Sequence, residues 1–102
     1  MQDMQEFLYR IHLVPSLHDE NNWTEKEQAI VGEHFAYLQK LLAEGKLIIA
    51  GRTADDLDKT FGIAIFRASS EEEARQIMEN DPAISKGMMT SELFPYRVAL
   101  KE

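Results

Sequence analysis

The sequence predicts an α+β domain: one four-stranded antiparallel sheet with two helices on one face. Three observations predict it. Two stretches carry apolar residues at helical spacing behind capping signals, four short runs carry strand-like apolar patterning, and the order along the chain is strand, helix, strand, strand, helix, strand. That βαββαβ order is the split βαβ arrangement of a ferredoxin-like domain.

Each element has its own justification. Residues 6–14, EFLYRIHLV, read as the first strand, with Phe7, Tyr9, Ile11 and Leu13 alternating with Leu8, Arg10, His12 and Val14. A polar loop, residues 15–23, ends at Trp23, which anchors it by packing or forms a lid. Thr24 opens the first helix with Glu27 at capping-box spacing, and Gly45 closes it. Ile30, Val31, Phe35, Leu38, Leu41 and Leu42 are expected to form its inward stripe. LIIAGRT, residues 47–53, is the second strand, and TFGIAIFR, residues 60–67, is the third. Ser70 and Glu73 repeat the capping spacing and start a second helix, with Ala74, Ile77 and Met78 inward. An irregular segment, residues 81–90, leads to a last strand near 92–100, which Pro95 confines to an edge or a bulge.

Alternation assigns the faces of the sheet. Phe7, Tyr9, Ile11, Leu13, Leu47, Ile49, Ile63, Ile65, Tyr96 and Val98 are expected under the helices. Leu8, Arg10, His12, Val14, Ile48, Ala50, Arg52, Ala64, Phe66, Leu93 and Arg97 are expected on the open face. That face is too apolar to leave in water, so a homodimer joined through it is expected.

The 102 residues make one domain, residues 1–102, large enough to fold without a disulfide or metal. With no cysteine, thiol chemistry and thiolate metal sites are excluded, and a reducing cytosol is the simplest compartment. MQDMQEFLYR has no secretory-signal pattern, and no apolar run approaches the roughly 20 residues that span a bilayer. A net charge of −7 argues against a nucleic-acid partner.

The chemistry centres on His34, which falls inside an apolar helical stripe, three residues after Val31 and four before Leu38. An imidazole among apolar neighbours needs a hydrogen-bond partner or stays neutral. Either a satisfied core histidine or a tuned acid/base follows. Asp81-Pro82 is a second signature; it suits a helix N-cap with proline at the first helical position, and a capping carboxylate still has an oxygen to orient His34. Arg10, His12, Arg52 and Arg97 form a cationic group able to bind a carboxylate or phosphate, or to pair with acids of a second subunit. Tyr37, one turn from His34, is a candidate pocket hydroxyl or a core residue. No metal site is expected: His18-Asp19-Glu20 lacks converging spacing, and Asp55-Asp56-Leu57-Asp58 lacks the glycine and glutamate of a calcium loop. Met88-Met89 reads as gap-filling.

Two blocks resemble the YCII-related domain family. One is H-F-A-Y-L-Q-K-L-L-A-E-G-K-L-I-I-A-G-R, residues 34–52; the other is S-S-E-E-E-A-R-Q-I-M-E-N-D-P-A-I-S-K-G, residues 69–87. The resemblance implies a ferredoxin-like subunit, a dimeric α/β-barrel assembly, and a pocket whose histidine and aspartate map onto His34 and Asp81. Its wider superfamily includes small enzymes acting on lactones, quinols and other aromatic-derived compounds. The expectation is a metal- and cofactor-independent lyase or isomerase using a His34–Asp81 dyad on an anionic or aromatic-derived metabolite. The alternatives are a non-catalytic metabolite-binding module and a structural dimer with a core histidine.

Overall fold

The computed structural model describes residues 4–102. Strand β1 (Gln5–Leu13) leads through two 3-10 turns, Pro15–His18 and Glu20–Asn22, into helix α1 (Glu25–Ala43). Strands β2 (Leu47–Arg52) and β3 (Gly62–Ala68) follow, then helix α2 (Glu71–Glu79), a single-turn helix α3 (Pro82–Ser85) and strand β4 (Met89–Tyr96). The sheet is antiparallel throughout, in the order β2-β3-β1-β4, the ferredoxin-like arrangement.

Local signals form these elements. Thr24 and Glu27 make the full reciprocal capping box of α1, satisfying two N–H groups that a helix start leaves orphaned. Gly45, at φ 77°, turns the chain out of α1 in a conformation that a side chain would strain. Ser70 caps α2 by accepting the Glu73 N–H. The proline-bearing β4 is an edge strand, as Pro95 requires.

The core lies between the sheet and the helices: Phe7, Tyr9, Ile11, Leu47, Ala64, Phe66 and Ala68 meet Leu41, Ala74, Ile77 and Met78. A smaller cluster of Leu13, Leu17, Ile30, Ala83 and Met88 closes the end beside α3. Trp23 packs there and donates its indole N–H to the Leu17 carbonyl at 2.9 Å, so it anchors the loop.

Three sequence expectations on facing need correction. Phe66 lies opposite Phe7, and Ala64 opposite Tyr9, so Ala64 and Phe66 turn toward the helices and Ile63 and Ile65 turn away. With a side-chain period of two, one choice of register swaps the whole strand, and both alternating sets of β3 contain apolar residues. In β2 an irregularity between Leu47 and Ile49 puts Ile49 on the open face, 58% exposed. In β4, Leu93 lies opposite Tyr9 on the helix side and Tyr96 opposite Glu6 on the open side. The β1–β4 ladder ends at the Glu6–Tyr96 pair, so Arg97 and Val98 lie outside it.

The α1 stripe also differs. Ile30 and Leu41 are buried, with His34 and Tyr37 between them, one turn apart along the inward face. Val31, Phe35 and Leu42 are exposed on the adjoining face, Phe35 by 62%. None of the helices is long and apolar enough to cross a membrane among the described residues.

Candidate functional site

Asp81 is the centre of the site. It caps α3, its Oδ1 accepting the Ala83 N–H at 3.0 Å with Pro82 at the first helical position. The side chain is fully buried. His34 Nδ1 stands 2.7 Å from Asp81 Oδ1 and 2.8 Å from Oδ2, joining α1 to the α2–α3 junction across 47 residues of chain. The Tyr9 hydroxyl, reaching up from β1, donates to Asp81 Oδ2 at 2.8 Å.

Three groups thus converge on two oxygens. An ionised carboxyl is acceptor only, so the arrangement suits an ionised Asp81 with the proton of a neutral imidazole on Nδ1. His34 Nε2 then carries the lone pair. Nε2 makes no hydrogen bond among the described residues, and no buried side-chain nitrogen or oxygen there lacks one, so this atom reaches the surface. The His34 side chain is 16% exposed.

The hydroxyls around the dyad hold their protons tightly. Burial, and then the Asp81 charge beside it, push Tyr9 far above the usual phenol range. Tyr37 is pushed up to about 12, by burial first and then by Asp81 and Glu44. Its hydroxyl donates to the Ile77 carbonyl at 2.7 Å, tying α1 to α2, so it is engaged rather than presented to a pocket. On the outer side, Lys86 Nζ pairs with Glu33 at 2.6 Å and links α3 to α1.

The cationic group is not assembled within one chain. Arg10 pairs with Glu92 on β4 at 2.8 Å, directly opposite in the ladder, with its guanidinium 5.7 Å from the Phe94 ring centre and 6.0 Å from that of Phe61. His12 lies against Phe61, 5.9 Å between ring centres. Arg52 is placed opposite Gly62, on the helix side of the register, and lines a hollow of about 290 Å³ with Phe61 and Ile63. Arg97 lines a separate hollow of about 500 Å³ with Glu6 and Arg67. Neither hollow includes His34. Because Tyr9 and Arg10 alternate along β1, the sheet itself separates the dyad from Arg10 and His12. Among the described residues no three potential metal-binding side chains converge.

Sequence reasoning took Tyr9 as plain core. Its only signal was a hydroxyl among aliphatic and phenyl neighbours on an inward-facing strand, where a buried tyrosine needs a partner.

The YCII-related domain matches residues 10–96. Among solved structures, 5-chloro-2-hydroxyhydroquinone dehydrochlorinase TftG from Burkholderia phenoliruptrix AC1100, in complex with 2,5-dihydroxybenzoquinone, is 25% identical with a TM-score of 0.68 over 90% of this chain and 93% of its own. SnoaB, a cofactor-independent oxygenase from Streptomyces nogalater, is 17% identical with a TM-score of 0.46 over 98% of this chain and 99% of its own, a likeness without functional weight. No curated protein matches the sequence.

Proposed function

The chain belongs to the YCII-related domain family, and within that family we propose that it is a cytosolic, homodimeric small-molecule enzyme in which His34 exchanges a proton with substrate through Nε2. One observation carries the reading: Nδ1 is bound to a buried carboxylate at 2.7 Å while Nε2, at the surface, has no hydrogen-bond partner among the described residues. A carboxylate on one nitrogen fixes the tautomer and raises the basicity of the other, which is what a general base requires.

The reaction class is proton transfer, as in an elimination or isomerisation. With no cysteine and no metal-binding cluster among the described residues, nothing beside the dyad recommends a covalent or metal-assisted route. TftG, by its name, removes chloride and a proton from a hydroxylated aromatic ring, and its likeness to this chain favours an aromatic-derived substrate of quinol type. An anionic substrate group bound by Arg10 or His12 would have to meet the dyad of another subunit, because the sheet stands between them in one chain. The apolar open face, with Ile49, Phe94 and Tyr96 exposed, supports the dimer.

The test is a turnover screen with chlorinated and hydroxylated quinols and with lactones, comparing the wild type with His34→Gln. The expected result is proton-transfer turnover that falls by about 10²–10⁴-fold in the variant. Turnover unchanged by His34→Gln sinks the proposal, and saturable binding without turnover assigns the fold to a metabolite-binding module instead.

A further inference from the structure

We infer that Tyr9 is a positioning residue of the dyad: its hydroxyl, bound to Asp81 Oδ2, holds the carboxylate in place and moderates how strongly that carboxylate retains the His34 proton. The inference rests on the acid/base reading of His34 and goes beyond it, since Tyr9 never meets substrate.

The geometry leaves little freedom. Tyr9 is fully buried, and its ring is fixed by an edge contact with Phe66, 5.5 Å between centres. Its one O–H has a single partner, Asp81 Oδ2, at 2.8 Å. The Ala83 N–H approaches Oδ1 at 3.0 Å. The two oxygens are therefore held from opposite ends, by strand β1 and by the first turn of α3. His34 Nδ1 meets both oxygens almost equally, at 2.7 and 2.8 Å, which requires the carboxylate to present its open edge to the imidazole. Without Tyr9 only the α3 contact would set that angle.

Charge follows geometry. Each donor on a carboxylate draws off negative charge that would otherwise stabilise an imidazolium. Tyr9 keeps its proton, because burial and the adjacent Asp81 both oppose ionisation, so it acts as a fixed donor and not as an acid. Removing that donor makes Asp81 a stronger acceptor for the Nδ1 proton, so the bond between His34 and Asp81 tightens. The other ionisable groups near the dyad are Tyr37, bound to the Ile77 carbonyl, and the mutually paired Glu33 and Lys86. None of them is hydrogen-bonded to Asp81, so none replaces the lost hydroxyl.

The experiment is nitrogen-15 NMR of the imidazoles in the wild type and Tyr9→Phe, a change that keeps the ring and its contact with Phe66. The Nδ1 proton resonance of His34 is expected to move downfield in the variant, while the ring-nitrogen signals of His12 and His18 stay in place as internal standards. A His34 Nδ1 proton resonance unchanged in the variant overturns the inference. Ring-proton spectra of Phe66 report whether the variant keeps its core; if they shift with all three histidines together, the effect is general rearrangement and the inference falls. The readout needs no substrate. Loss of the acid/base reading through an active His34→Gln would leave a shifted His34 in Tyr9→Phe standing as evidence for positioning.

Discussion

Asp81 holds His34 and starts α3 with the same oxygen: Oδ1 accepts the Ala83 N–H at 3.0 Å and lies 2.7 Å from His34 Nδ1. The sequence allows a capping carboxylate to orient His34 with its spare oxygen; in the structure the capping oxygen itself also meets the imidazole. Asp81→Ala should therefore lose a cap, leave the Tyr9 hydroxyl unpaired and release His34. A loss of about 3–5 kcal/mol in urea unfolding is expected, with a smaller loss for Asp81→Asn, whose amide oxygen still caps.

The two apolar faces of α1 should respond differently to truncation. Leu41 is buried in the main core, so Leu41→Ala is expected to cost about 2–4 kcal/mol. Phe35 is 62% exposed, so Phe35→Ser should change the stability of the isolated chain by no more than about 0.5 kcal/mol. Denaturant midpoints for the two variants check the facing of the helix directly.

Stability should fall in alkali. Tyr9 and Tyr37 are held protonated in the fold, Tyr37 up to about 12, whereas an unfolded tyrosine ionises near pH ~10. Their contribution is whole below that pH and is lost as pH rises, because only the unfolded chain gains from ionisation. Each such tyrosine adds a slope of about −1.4 kcal/mol per pH unit above pH ~10. Urea midpoints from pH 9 to 11 should decline less steeply for Tyr9→Phe than for the wild type.

The open sheet face should be covered in solution. Light scattering at micromolar concentration is expected to give a dimer mass, with more than roughly 1,000 Å² buried. Placing charges there, as Ile49→Lys with Phe94→Glu, should yield monomers of unchanged secondary structure. A monomeric wild type would refute the dimer.

Binding or turnover should survive chelation. Dialysis against EDTA is expected to leave ligand affinity and rate unchanged. Stoichiometric zinc, iron or manganese retained after dialysis, with activity that depends on it, would contradict that expectation.

Capping signals, helical periodicity and the order of elements are local, and they were legible in the chain: Thr24 with Glu27, Ser70 with Glu73, and Gly45 mark the helices where they occur. The contact between His34 and Asp81 was legible as well: an imidazole on an inward helical face needs a partner, and an Asp-Pro helix start supplies a carboxylate. What the chain could not decide was register. Ile63 and Phe66 are equally credible core residues until β3 is paired with β1, and only that pairing turns Phe66 inward. The same pairing, with the irregularity at Leu47/Ile49 and the end of β4 at Tyr96, dispersed the arginines that alternation had gathered. Tyr9 was visible only as a core residue, since its partner lies 72 positions away. Local sequence determines which elements form; contacts distant along the chain decide which side chains meet, because their energy exists only once the sheet and helices have docked.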